Sequence, residues 1–145
     1  MKKLWVIPLI GMMCLPKVLA ETNMPEQGST VGIKINADRG GVIQSAFSVV
    51  LADAGLINNN TNYDYLLDIH ITLTPFTTNS PNMQFVRFEL NAELLDSDGN
   101  VLLPYAFFFR DGHVNQEGAE SRAFREAVRK INAEYGNLLN EIISG

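Results

Sequence analysis

The sequence predicts an α+β fold, a two-layer α/β sandwich in the order β-α-β-β-β-α, with two helices on one face of a four-stranded mixed sheet. Three observations carry that expectation. Residues 63–74 and 83–96 alternate apolar and polar side chains with the period of two that a half-covered strand requires. Residues 42–54 and 117–144 repeat their apolar side chains three and four apart, as amphipathic helices do. The turn signals between the later strands are short, so consecutive strands should be neighbours.

VGIKIN, residues 31–36, sets Val31, Ile33 and Ile35 against Gly32, Lys34 and Asn36, the pattern of a short first strand. ADRGG follows, and then VIQSAFSVVLADAGL with Val42, Ile43, Ala46, Phe47, Val50, Leu51 and Ala54 at helical spacing. Asp38 is the expected N-cap and Gly55 the C-terminal stop. This helix is apolar around most of its girth and is therefore expected to be deeply buried. Its start, ADRGGV, offers backbone donors that could hold an anion, but with two glycines it reads better as turn and cap chemistry.

INNNTN, residues 57–62, supplies a turn into NYDYLLDIHITLT. There Tyr63, Tyr65, Leu67, Ile69, Ile71 and Leu73 should face the helices, and Asp64, Leu66, Asp68, His70, Thr72 and Thr74 the open side. In MQFVRFELNAELLD the covered set is Val86, Phe88, Leu90, Ala92 and Leu94, with Arg87, Glu89, Asn91 and Glu93 opposite. SDGN carries the Asp-Gly signal of a tight hairpin. The return strand VLLPYAFFFRD puts Leu103, Tyr105, Phe107 and Phe109 on one face, and Pro104, lacking a backbone donor, argues for an edge position or a bulge. The final helix shows a stripe of Ala119, Phe124, Ala127, Val128, Ile131, Tyr135, Leu138, Leu139 and Ile142 under a charged outer face, with Gly136 as a sign of close contact or mild bending.

The chain begins MKKLWVIPLIGMMCLPKVLA: two lysines, an apolar run too short to span a bilayer, and small residues at its end. Residues 1–20 are thus expected to be a secretory signal cleaved after Ala20, residues 21–30 a flexible leader and 31–145 a single α/β domain, located in the periplasm. The one cysteine, Cys14, lies inside the signal without the small residue that lipid attachment wants directly before it, so ordinary cleavage is expected instead. Cleavage would remove Lys2, Lys3 and Lys17 and leave 8 basic residues against 16 acidic ones, a charge of about −8. That balance argues against nucleic acid as a partner and against electrostatic docking to anionic lipid.

The residues with chemistry to offer are few. Asp68 and His70 share the open side of one strand about 7 Å apart, a spacing too long for a direct hydrogen bond without favourable rotamers. His113, 43 residues further on, makes no recognisable zinc pattern with His70. No serine sits in a nucleophile elbow and no glycine-rich phosphate loop follows a strand. No catalytic, metal or cofactor residue is therefore assigned, and no cofactor is expected. Phe108 departs from its aromatic neighbours by alternating to the open face beside Arg110, which marks a binding surface. The expected contact surface is Asp64, Asp68, His70, Arg87, Glu89, Phe108 and Arg110.

TNYDYLLDIHIT, with its Asp64-Tyr65-Leu66-Leu67 strand entry, resembles the periplasmic α/β domain of CsgG- and LpoB-type envelope proteins. The closing AESRAFREAVRKINAEYGNLLNEII resembles the alanine-marked last helix of small outer-membrane lipoproteins and of FlgT. The hairpin FELNAELLDSDGNVLLPYAFFFRD before a long helix is similar to the lipopolysaccharide-assembly lipoprotein LptE. These resemblances imply a non-enzymatic accessory or assembly factor of the bacterial envelope. Its expected partner is another envelope protein or a second copy, with peripheral outer-membrane association open to it and no transmembrane segment in the mature chain. The alternative they imply is an LptE-like lipopolysaccharide-assembly or small-ligand-binding component.

Overall fold

The computed structural model describes residues 24–144, so the expected signal segment and Cys14 lie outside the described residues. The elements run β1 (Thr30–Ile35), α1 (Val42–Asp53), β2 (Ile57–Asn58), β3 (Tyr65–Phe76), β4 (Gln84–Leu95), β5 (Val101–His113) and α2 (Gln116–Ser144). They form one sheet in the order β2-β1-β3-β4-β5, with β1 parallel to both its neighbours and the rest antiparallel. The α+β sandwich is as the periodicities predict, with one strand more.

That strand, β2, lies in the segment expected to be a turn. Two residues have no period to read, and its pairing is carried by backbone and asparagine groups instead. Ile57 N–H donates to Ser29 O at 2.9 Å and Asn59 N–H to Val31 O at 2.9 Å. Asn58 Nδ2 also reaches Val31 O at 3.0 Å, and Asn60 Oδ1 accepts from Ile33 N–H at 2.7 Å. The asparagines thus satisfy the outer backbone groups of β1 that a longer strand would otherwise pair.

The expected leader is tied down where it is described. Pro25 is buried, and Gly28 N–H donates to Gly55 O at 2.7 Å, so residues 24–29 turn against the end of α1. Gly55, at φ 88°, closes that helix as expected. Its N–H bonds Ala52 O at 3.0 Å and Leu56 N–H bonds Leu51 O at 2.9 Å, with Leu51 and Leu56 both buried. At the other end Asp38 does cap α1, but from three residues before the N-cap position, which Gly41 occupies. Its two carboxylate oxygens accept from Ile43 and Gln44 N–H, each at 3.0 Å. With Arg39 N–H at 2.7 Å, three backbone donors at the start of this helix are taken up by the chain's own carboxylate.

The core lies between the helices and one face of the sheet. Leu67, Ile69 and Ile71 from β3, Val86, Phe88, Leu90, Ala92 and Leu94 from β4, and Leu103 and Tyr105 from β5 are buried, all on the face that alternation assigned. Phe47 of α1 meets Tyr135 of α2 edge-on at 5.0 Å, and Phe124 of α2 meets Phe88 edge-on at 5.3 Å. A side chain at Gly136 would stand 3.6 Å from Val50, an ordinary contact, so close approach does not explain that glycine. α1 is less enclosed than its composition predicts: Ile43, Phe47 and Leu51 are fully buried, whereas Val42 and Val49 face solvent.

The β4–β5 turn is organised by Asp96, the one buried charged residue among those described. Its carboxylate accepts from Asp98 N–H and Asn100 N–H at 2.9 Å and from Asn100 Nδ2 at 3.1 Å. Burial alone would raise this carboxyl, but the hydrogen bonds from Asn100, Asp98 and Gly99 outweigh it and hold the group below the usual carboxylate range. Gly99, at φ 85°, takes the left-handed position that an Asp-Gly turn requires.

Candidate functional site

Because β3, β4 and β5 are long and in register, the open face is a grid whose rows can be read across the ladder. Asp68 stands between Lys34 and Glu93, and His70 beside Asn91, which in turn faces Ala106. Thr72, Glu89 and Phe108 make the next row, and Thr74, Arg87 and Arg110 the one after. Six of the seven expected contact residues thus occupy four successive rows.

Asp64 is the exception. It precedes β3, where its N–H donates to Thr30 O and Thr30 Oγ1 at 3.1 and 3.0 Å. It lines a cleft of about 370 Å³ with Tyr63, Leu66, Leu95 and Asp96 at the opposite end of the sheet. Ten residues of strand separate it from the Arg87 row, about 30 Å at 3.3 Å per residue. Tyr63 also departs from its assigned face. The strand begins only at Tyr65, and the Tyr63 ring lies against Gly32, whose neighbours Val31 and Ile33 point into the core, so Tyr63 covers the open side.

The best-defined feature of the face is at Phe108. Its residue is 61% exposed, and the Arg87 guanidinium carbon sits 4.2 Å above the ring centre. Glu89 holds that guanidinium in place, its Oε2 accepting from Arg87 Nη2 at 3.0 Å and Nε at 3.1 Å. An apolar ring, a cation and an anion are thereby fixed side by side on rigid strands. Further along, Phe76 and Phe85 stack at 5.5 Å on the same side of the sheet, an apolar pair beyond the alternation of residues 63–74 because the strand runs on to Phe76.

Directly across the ladder His70 has no carboxylate partner. Asn91 faces it across the ladder, and an amide does not stabilise an imidazolium as a facing carboxylate would. His113 ends β5 opposite Gln84, with its ring against Gly118 of α2, remote in register from His70. Among the described residues no three His, Cys, Asp or Glu side chains come together as a metal site. No helix among them is long and apolar enough to cross a membrane.

No family model matches the sequence, and no curated protein matches it. Solved structures do resemble it in fold. A minor lipoprotein of Acinetobacter baumannii is similar over 81% of this chain and 92% of its own, with a TM-score of 0.52 and 17% identity. A Xanthomonas campestris protein of the DUF330 family is similar over 82% of this chain and 87% of its own, with a TM-score of 0.54 and 14% identity. The chain has a fold found in bacterial lipoproteins. At these identities the likeness is one of architecture.

Proposed function

We propose that the protein is a non-enzymatic accessory or assembly factor of the bacterial cell envelope, and that it acts through protein contacts made by the open face of its sheet. The observation that carries this reading is the exposed Phe108 ring under Arg87, with Glu89 fixing the guanidinium. Aromatic and arginine side chains are the commonest anchors of protein interfaces, and a pre-ordered pair loses little freedom when a partner covers it. The lipoprotein fold supports the envelope setting, and the assembly role rests on the sequence resemblance of TNYDYLLDIHIT and the last helix to CsgG-, LpoB- and FlgT-type proteins, which the two solved structures described above do not include. In this reading the protein is exported to the periplasm and cleaved after Ala20, without lipid on Cys14.

The test is affinity capture from envelope extracts with the wild-type protein and the Phe108→Ser variant. A partner retained by the first and bound about thirtyfold or more weakly by the second is expected, the loss typical of an interface anchor. Phe108→Ser should leave folding stability within about 1 kcal/mol of wild type, since only an exposed ring and its cation contact are removed. If stability and every interaction are both unchanged, the surface is not at Phe108. The N-terminus of the recovered protein, Glu21 or an acylated Cys14, reads the processing in the same material.

One observation favours the second reading, an LptE-like lipopolysaccharide-assembly or small-ligand-binding component. Arg87 and Arg110 stand directly opposite each other on β4 and β5. Glu89 already pairs with Arg87, whereas Arg110 forms no ion pair among the described residues, so an anionic group such as a phosphate would find one uncompensated guanidinium there. Binding to purified lipopolysaccharide that is lost in the Arg87→Ala/Arg110→Ala double variant supports it; binding that ignores both arginines rules this site out.

A further inference from the structure

The helical layer carries a feature independent of the open sheet face. Between α1 and α2 runs a groove of about 660 Å³. Ala46, Phe124 and Val128 contribute to it, together with Val42 and Val49, which are 39% and 56% exposed. These two valines are where α1 departs from the deep burial that its sequence predicts. An apolar group laid against them would recover the transfer free energy that their exposure forgoes.

The charges around the groove indicate what kind of apolar group that is. The chain has 16 acidic residues, yet both charged residues lining the groove are arginines, Arg39 and Arg125. Arg39 is already engaged, with Nη2 2.9 Å from Glu117 and Nη1 3.6 Å from Glu120. On the outer side of α2, Arg122 pairs with Asp111 and Arg129 with Glu126. Arg125, exposed between them, forms no ion pair among the described residues. A free guanidinium at the rim of an apolar trough is complementary to a ligand with an anionic head and an apolar tail. From Ser121 to Asn132 the α2 wall extends about 16 Å at 1.5 Å per residue, enough for a medium-length acyl chain.

We propose that the α1–α2 groove binds a single-chain anionic amphiphile, with its acyl chain along Val42, Val49, Phe124 and Val128 and its head on Arg125. The head can be the carboxylate of a free fatty acid or the phosphate of a lysophospholipid, since both present an anion on one chain.

Isothermal titration of the purified protein with dodecanoate, with a twelve-carbon lysophosphatidic acid and with uncharged dodecyl maltoside, each below its micelle concentration, tests the proposal. Saturable binding is expected for at least one anionic probe, about tenfold or more tighter than for the maltoside. Dodecanoate alone would identify a fatty acid, and the lysolipid a phospholipid source; either supports the site. Arg125→Gln should bring the anionic probes down to the maltoside level, and Val49→Asp should abolish binding of all three. Both positions are solvent-exposed, so the thermal midpoint should not move, and a shifted midpoint is met by repeating the titration with Val49→Ser. Phe108→Ser should leave this binding intact, which separates the groove from the sheet surface. The absence of saturable binding, or binding indifferent to Val49 and Arg125, as when the groove instead takes a partner's helix, overturns the proposal.

Discussion

Phe88→Ala is expected to lower the free energy of unfolding by about 3–5 kcal/mol and the thermal midpoint by roughly 10–20 °C, as followed by calorimetry. Phe88 is fully buried in β4, the strand with a long antiparallel neighbour on each side. Its ring stacks on Phe109 at 5.2 Å and Phe107 at 6.1 Å, and takes the edge of Phe124 from α2 at 5.3 Å. It is therefore the point where the β4–β5 ladder and the last helix meet. Truncation removes the transfer free energy of the ring and leaves a cavity that strands held by ladder bonds on both sides cannot collapse to fill. Phe108 is nearly adjacent in the ladder, opposite Glu89, but its ring is on the wet face. A loss below about 1 kcal/mol at Phe88, matching that expected at Phe108, would mean the two faces are not divided as described.

Most of the architecture is legible because it depends on periodicities that survive in one dimension. In β4 every residue from Val86 to Leu94 lies on the face that alternation assigns, since a half-covered strand cannot slip by one position without burying Arg87 and Glu89. Gly55 and Gly99 are legible for a different reason, because each is at a left-handed position that few other residues tolerate. What escapes is whatever depends on contacts between distant segments. β2 exists because Asn58 and Asn60 reach the edge of β1, and nothing local in INNNTN announces that edge. Asp38 caps from outside the N-cap position that local sequence assigns it, since a carboxylate three residues ahead of Gly41 still curls back to Ile43 and Gln44.

The layout of the open sheet face is legible to the same degree. Alternation placed Asp68, His70, Arg87, Glu89, Phe108 and Arg110 on one side, and the register brings them into adjacent rows. Alternation assigns a side and not a cluster: Asp64 is four residues, about 13 Å, from Asp68 but ten residues, some 30 Å, from the Arg87–Arg110 row. The pairing of Arg87 with the Phe108 ring required the β4–β5 register, which a hairpin bulge between Leu94 and Leu95 shifts away from simple counting. The α1–α2 groove was hidden because a helix that reads as apolar all round gives no sign of which valines its neighbour leaves uncovered.

Gly32→Ala is expected to destabilise the protein by about 1–3 kcal/mol, although alanine suits a strand no worse than glycine does. The cause is space rather than backbone conformation. A Cβ at Gly32 would stand 2.5 Å from Tyr63 Cδ2 and 2.9 Å from its Cγ, so the whole ring must leave the sheet. Tyr63 would then uncover its end of the open face, beside the cleft that it lines with Asp64, Leu66 and Leu95. In a Tyr63→Ala background the obstacle is gone, and the same glycine substitution should cost nothing measurable. The double-mutant cycle should therefore show a coupling of about 1 kcal/mol or more, read from chemical unfolding of the four proteins. Additive effects would place Tyr63 away from Gly32 and return it to the covered side, where simple alternation had put it.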